Sequence, residues 1–582
     1  MNLFLMVLSM FFLTSSHTGV DSFGYRFIDS DTTGGSEFIW IDASSGDTIE
    51  LADDDNRLVN LPFPFPFYRQ TLRNIYVVSN GYLTSTNTRG ASNIPLPASN
   101  VENLISPWWD DLNPATGGHI YTFYDTTLDA FVVQWDSVMH YRTGGPYTFE
   151  VILFHSGDII FSYKYLNPPI NSSTIGIQGG NGTNGYYLQY TVNGNPILPH
   201  DSLTIVFSRP TNVQIVDVLP TAILAPSSPI VNIGESFTPE VEVLNAGSDT
   251  SSFTVFLNIL GDTTIISQSL NVNNIPPYTI DTVNFTPVII DTNGVYEMIV
   301  RTFINGDENP QNDTIRFNFM VPAFHNDFEA DSGNFYSSGG WQWGTPAVGP
   351  PGAHSGTRVW GTYLNGNYPN YANLWLIGDY IVTDSNAAFG FFQWFNFERR
   401  MDGGNVLFTI NHDTTSWELL YPEGGYTSYV FALSQDGFTG TIGSWSPALF
   451  VLPTLEIDDT ITIAFHVKSG RSNTASGWYL DDFYWTGLNP IPTLEIDESR
   501  NGGSEIITFR KSIVRKFLMV ESNCPGEKTK AEIYDITGRM IREFEIFNGE
   551  SKIYVGDLRN GIYYLRIKGG RVNGVRKFMV LK

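Results

Sequence analysis

The sequence predicts an all-β protein built as a string of sandwich domains. Three observations carry that expectation. Strand formers are dense: aromatic residues alone make up 14 % of the chain, and Val, Ile and Thr fill the stretches between them. Turn formers punctuate these stretches throughout, with 54 Gly and 32 Pro in 582 residues. No long helical periodicity appears apart from the apolar first residues. A chain of this length predicts about three to five domains.

Composition also excludes some functions. The formal net charge is −27, which disfavours nucleic acid as a partner, because phosphate contacts require clustered Lys and Arg. The chain has one cysteine, Cys524, so an intramolecular disulfide and a multi-cysteine metal site are both ruled out. No His-Glu-x-x-His, Walker loop or dinucleotide fingerprint occurs.

Taken in order, residues 1–19 read as a signal peptide. A short apolar run ends in small polar residues, with cleavage expected between Ser16 and Gly19. No other segment is apolar for long enough to anchor the mature chain in a membrane.

Residues 20–210 form the first expected domain. Residues 61–68 (LPFPFPFY) hold three prolines and suit a sheet edge or an entry segment, not a central strand. Asn80-Gly81 reads as a hairpin turn. Trp108, Trp109 and Asp110, followed by Asp111, admit two readings. They form either a ligand-stacking cluster with hydrogen-bonding carboxylates or buried core with turn-capping aspartates. Successive strand residues point to opposite faces, which places Asp110 and Asp111 poorly as a catalytic pair. The order of motifs resembles the nidogen-like β domain of large secreted bacterial proteins.

Residues 211–322 alternate as short strands of an Ig-like sandwich. Residues 240–247 (EVEVLNAG) and 307–313 (DENPQND) resemble the CARDB type of adhesion-related domain, which implies a spacer role.

Residues 323–489 carry FE (328–329), AHSG (353–356), DGG (402–404) and LDDF (480–483) in sequence. This series resembles the MAM-like jelly roll of immune-inhibitor-A-type secreted peptidases. If the first and last strands pair, carboxylates from distant strands meet. Some of Glu329, Glu398, Asp402 and Asp482 are therefore the expected ligands of a structural Ca²⁺, and regular alternation turns Asp481 away. His354-Ser355 invites a nucleophile–base reading, but the Gly-x-Ser-x-Gly elbow is absent.

Residues 490–504 are a polar linker. Residues 505–582 reverse the charge: they hold 16 of the 32 basic residues and 9 of the 59 acidic ones. Tyr534, Asp535, Gly538, Arg539, Gly561, Tyr563 and Lys577 stand in an order that resembles the type A C-terminal sorting domain of the type IX secretion system of Gram-negative bacteria. The resemblance implies export to the outside of the cell and a partner in the outer-membrane secretion machinery. The expected function is a secreted or surface-displayed, non-catalytic binding or adhesion protein with an extracellular glycan or protein ligand. The alternative is a secreted hydrolase, or an accessory subunit of a surface peptidase or glycan-degrading system.

Overall fold

A computed structural model describes residues 17–262, 265–411 and 417–491, and most of the strands from 507 to 580. The signal-peptide residues 1–16, most of the linker, Cys524 and Gly538 lie outside the described residues. Among the described residues all regular structure is strand, apart from two short 3₁₀ turns. Among the described residues no helix is long and apolar enough to cross a membrane.

In the first domain a nine-stranded sheet faces a six-stranded one. Their facing sides bury Phe65, Ile75, Trp108, Trp135, Phe149 and Phe161. The proline-rich strand Asn56–Phe67 lies at the edge of the smaller sheet. Its ladder breaks between Asn60 and Phe65, around Pro62 and Pro64, because proline has no N–H to give. Gly81 turns the next hairpin with φ 76°. A Cβ there would sit 2.1 Å from the Trp108 carbonyl oxygen, so the position admits only glycine.

The second domain is a three-stranded sheet (Val218–Ala225, Glu240–Asn245, Thr279–Asn284) on a four-stranded sheet. Buried Asn245 donates to the carbonyls of Asp249, Ile275 and Pro276 and accepts from Gly247 N. One side chain thus closes the predicted Asn-Ala-Gly turn.

The third domain packs two six-stranded sheets around Phe391, Phe465, Trp478 and Phe483. The opening strand Phe324–Asn326 pairs antiparallel with the closing strand Gly477–Thr486, as the jelly-roll expectation requires.

The C-terminal domain is a five-stranded sheet and a three-stranded sheet around Val520, Ile533, Leu565 and Phe578. Strand Thr529–Asp535 ends at Asp535, which binds Arg539. Asp535 Oδ1 accepts Arg539 N, and Arg539 Nε donates to Asp535 Oδ2 at 3.1 Å. Tyr563 is buried, with its hydroxyl on the Arg559 carbonyl. Tyr534 donates to Glu532. Gly561 opens the strand Gly561–Gly569, and Lys577 pairs with Tyr564 in the ladder.

Candidate functional site

In the third domain a cluster of ionisable side chains forms on the strand Gly477–Thr486. Its ladder with Ala388–Asn396 slips between Gly390 and Phe392, and Asp482 adopts φ 49°. Such a bulge breaks the two-residue alternation. Asp481 does not face away, which corrects the expectation from regular alternation: both carboxylates are buried and serve the same loop.

Asp481 Oδ2 accepts the backbone N–H groups of His354 and Ser355 at 2.8 and 3.1 Å. Asp482 accepts from the side chains: His354 Nδ1 at 2.5 Å, Ser355 Oγ at 2.9 Å and His325 Nε2 at 2.9 Å. His354 stacks on Phe392 with centroids 3.6 Å apart, and His325 stacks on Tyr484 at 4.1 Å.

The two neighbours are electrostatically opposite. Burial pushes Asp481 up to about 7, against its backbone bonds and with help from the adjacent Asp482 charge. Burial also works against the Asp482 anion. The bonds from His325, His354 and Ser355 outweigh it and hold that carboxyl below the usual range.

This wiring fixes what the cluster can do. A nucleophilic serine must give its proton to the histidine. Here Ser355 and His354 both bond Asp482, and no hydrogen bond joins them to each other. The carboxylate pair pins the Ala-His-Ser-Gly loop to the closing strand.

The four expected calcium ligands do not assemble. Glu329 accepts Thr357 N, Thr357 Oγ1 and Arg358 N. Asp402 accepts Tyr368 OH and Gly470 N, and Glu398 accepts Asn473 Nδ2. Asp482 is occupied as described above. Among the described residues, groups of three ligand atoms lying within 4.8 Å of one another occur only at His17–Asp29–Asp31 and at Asp53–Asp54–Asp111. Both lie in the first domain.

Of the two readings of Trp108, Trp109 and Asp110, the structure agrees with buried core. Trp108 is 0 % exposed, Trp109 is 1 % exposed, and Asp110 is buried. Trp108 lies in the core between the sheets. Trp109 lies on the opposite face under Tyr82, Leu96 and Val101, with its Nε1 on the Gly90 carbonyl. Asp110 accepts Ser172 Oγ and the Asp111 amide. None of the three is open to a ligand.

Comparison with known proteins defines two modules. Residues 29–217 match the NIDO related family, and residues 514–581 match the secretion system C-terminal sorting domain. The chain is thus an exported protein, secreted or held at the cell surface, that carries a C-terminal sorting domain. Bacillopeptidase F of Bacillus subtilis (strain 168) is 34 % identical over 169 residues, which is 28 % of this chain and 10 % of that protein. The chain therefore spans about a tenth of that relative's length. Among solved structures, a carbohydrate-binding module of the β-sandwich superfamily is 14 % identical, covering 46 % of this chain and 98 % of its own, with a TM-score of 0.21. The adhesin domain of Epf from Streptococcus pyogenes is 10 % identical, covering 44 % and 93 %, with a TM-score of 0.14.

Proposed function

We propose that this chain is a non-catalytic binding or adhesion protein displayed outside the cell. Three β domains present the binding surface, and the fourth delivers them. The reading rests on the wiring of Asp481 and Asp482. The cluster of Ser355, His354 and Asp482 is wired to pin a loop, not to activate a nucleophile. The test is to purify the mature chain and assay it in parallel for adhesion to cells and extracellular matrix and for hydrolysis of peptide and glycan substrates. Adhesion without turnover is expected. Turnover that is lost in Ser355→Ala overturns the reading.

A second reading is favoured by one observation, the 34 % identity to Bacillopeptidase F over 169 residues. In it the chain is an accessory module of a surface peptidase system. Co-purification with a peptidase whose activity on large substrates rises in its presence would decide for this reading. A structural Ca²⁺ held by some of Glu329, Glu398, Asp402 and Asp482 would tie distant strands of the third domain together. A midpoint of thermal unfolding that falls on adding a chelator would reveal one.

A further inference from the structure

The four-stranded sheet of the second domain ends in the strand Ile265–Ile275, which pairs with Ser251–Leu260 on one side. Among the described residues no strand pairs with its other side. A free sheet edge offers a row of unpaired N–H and C=O groups, and proteins blunt such edges with prolines, charges or short strands. The edges of the first domain follow that rule. Asn56–Phe67 carries three prolines, and the larger sheet ends in strands of 3 and 2 residues. Ile265–Ile275 has 11 residues, no proline and no charged residue. Its neighbour Ser251–Leu260 is also free of charge.

The two faces of this edge strand differ. Ile265, Ser267, Ser269 and Asn271 are exposed, Ile265 to 75 %. Ile266 and Leu270 point the other way and pack against the domain core, yet both stay half-buried. Gln268 lies between them and bonds the Thr286 backbone through both ends of its amide. The apolar face of the sheet is thus incomplete at its edge.

The geometry points to a second copy of this chain as the occupant of this edge, paired antiparallel about a two-fold axis at Gln268. That axis sets each Ile266 opposite the partner's Leu270 on the core side, twice over, and Ser267 opposite Ser269 on the outer side. Such cross-strand pairs are the unit of sheet stabilisation, and a two-fold contact uses one patch on both copies. Moving the axis by one residue in either direction sets Ile266 or Leu270 opposite Gln268 instead. Charge supports a copy meeting here: a chain of net charge −27 repels itself over most of its surface, and these two strands contribute nothing to that repulsion. The pairing is independent of what the chain binds.

The test is sedimentation velocity of the full mature chain from micromolar to millimolar concentration, because one added strand pair is a contact of transient size. A monomer–dimer equilibrium is expected, tightened by added salt, which screens the general repulsion. The double variant Ser267→Lys, Ser269→Lys places lysines directly opposite lysines and should weaken the dimer about tenfold. Both substitutions lower the negative charge of the chain, so a general charge effect would act the other way. An unchanged thermal midpoint verifies that this variant is folded. The axis is tested in a Cys524→Ser background by mixing a Ser267→Cys chain with a Ser269→Cys chain. Opposed Cα atoms lie about 4.5–5.5 Å apart, within reach of a disulfide. Oxidation should cross-link the mixture well beyond either chain alone. A monomer at every concentration and salt, a dimer that the lysines leave unchanged, or equal cross-linking in the mixture and the separate chains overturns the proposal.

Discussion

Asp481 and Asp482 are adjacent and bind one loop, yet they respond to acid in opposite ways. Asp481 titrates near 7 in the folded chain, above its ordinary carboxylate value. The folded state therefore holds a proton that the unfolded state has released, and stability falls as pH rises from about 4 to about 7. Asp482 is held below its ordinary value. Its contribution is present above the unfolded carboxylate pKa and is lost as pH falls through the lower folded one. Asp481→Asn keeps a side-chain oxygen for the His354 and Ser355 amides and removes the titration. Denaturant unfolding of this variant should flatten between pH 4 and 7, where one proton is worth at most about 1.4 kcal/mol per pH unit. A slope equal to that of the parent chain would show that Asp481 is not the titrating group. The sequence displayed both carboxylates but not their shared direction. Strand alternation is legible in a sequence; the bulge at Asp482 that cancels it depends on the partner strand. The sequence left the burial of Trp108 and Trp109 as one of two readings. The two rings do point to opposite faces, but the loop carrying Leu96, Ala98 and Val101 covers the second face.

At the scale of elements, residues 39–43 lie as a strap across the larger sheet of the first domain. Alternate backbone amides bond side chains on three strands: Ile39 N to Thr204, Ile41 N to Glu150 and Ala43 N to Gln134. Glu150 is 0 % exposed and its Oε2 has no partner. Burial pushes it up to about 8, against the Ile41 bond. Below that pH the carboxyl is neutral and the strap is seated; above it, a buried charge is unpaired. Hydrogen exchange at the Ile39, Ile41 and Ala43 amides should quicken between pH 7.5 and 9 beyond the intrinsic increase. Glu150→Gln, which keeps the acceptor, should abolish that excess; an equal excess in both chains would refute the coupling. The first strand carries a second expectation. Residues 17–19 fall inside the anticipated cleavage range, yet Thr18–Val20 pairs with Arg26–Ile28 and His17 Nδ1 lies 2.7 Å from Asp29 Oδ2. Mass spectrometry of the exported protein should find a mature end at His17. An end beyond Val20 would mean that this strand is not used. Element-level features that depend on local chemistry were legible in advance: the proline-broken edge strand and the Asn80-Gly81 turn.

At the scale of the whole molecule, the question is how an address module sits against its cargo. The charge reversal, about +7 in the last 78 residues against about −34 upstream, marked a separate module and implied a general attraction between the two parts. What it could not specify was a face. Ile562 of the sorting domain is buried in one cluster with Ile377, Leu407 and Ala464 of the jelly roll, and Tyr564, Trp375 and Trp417 border it. Ile377, Ala464 and Leu407 are direct cross-strand partners, so they form one apolar row across the outward face of their sheet. Such a row needs cover, and the strand Gly561–Gly569 supplies it. Ile562→Asp places a charge in this contact and should undock the module without unfolding either domain, because Ile562 is outside the sorting domain's own core cluster. Hydroxyl-radical footprinting of the full chain should then show faster oxidation of Trp375 and Trp417. Trp108 and Trp478, in the cores of their domains, should remain protected and serve as internal standards. Raising ionic strength in the unaltered chain should move Trp375 and Trp417 the same way but less, since salt screens the charge attraction and leaves the apolar row in place. Equal protection of Trp375 and Trp417 in the variant and parent chains would show that the sorting domain is tethered to its cargo by the linker alone.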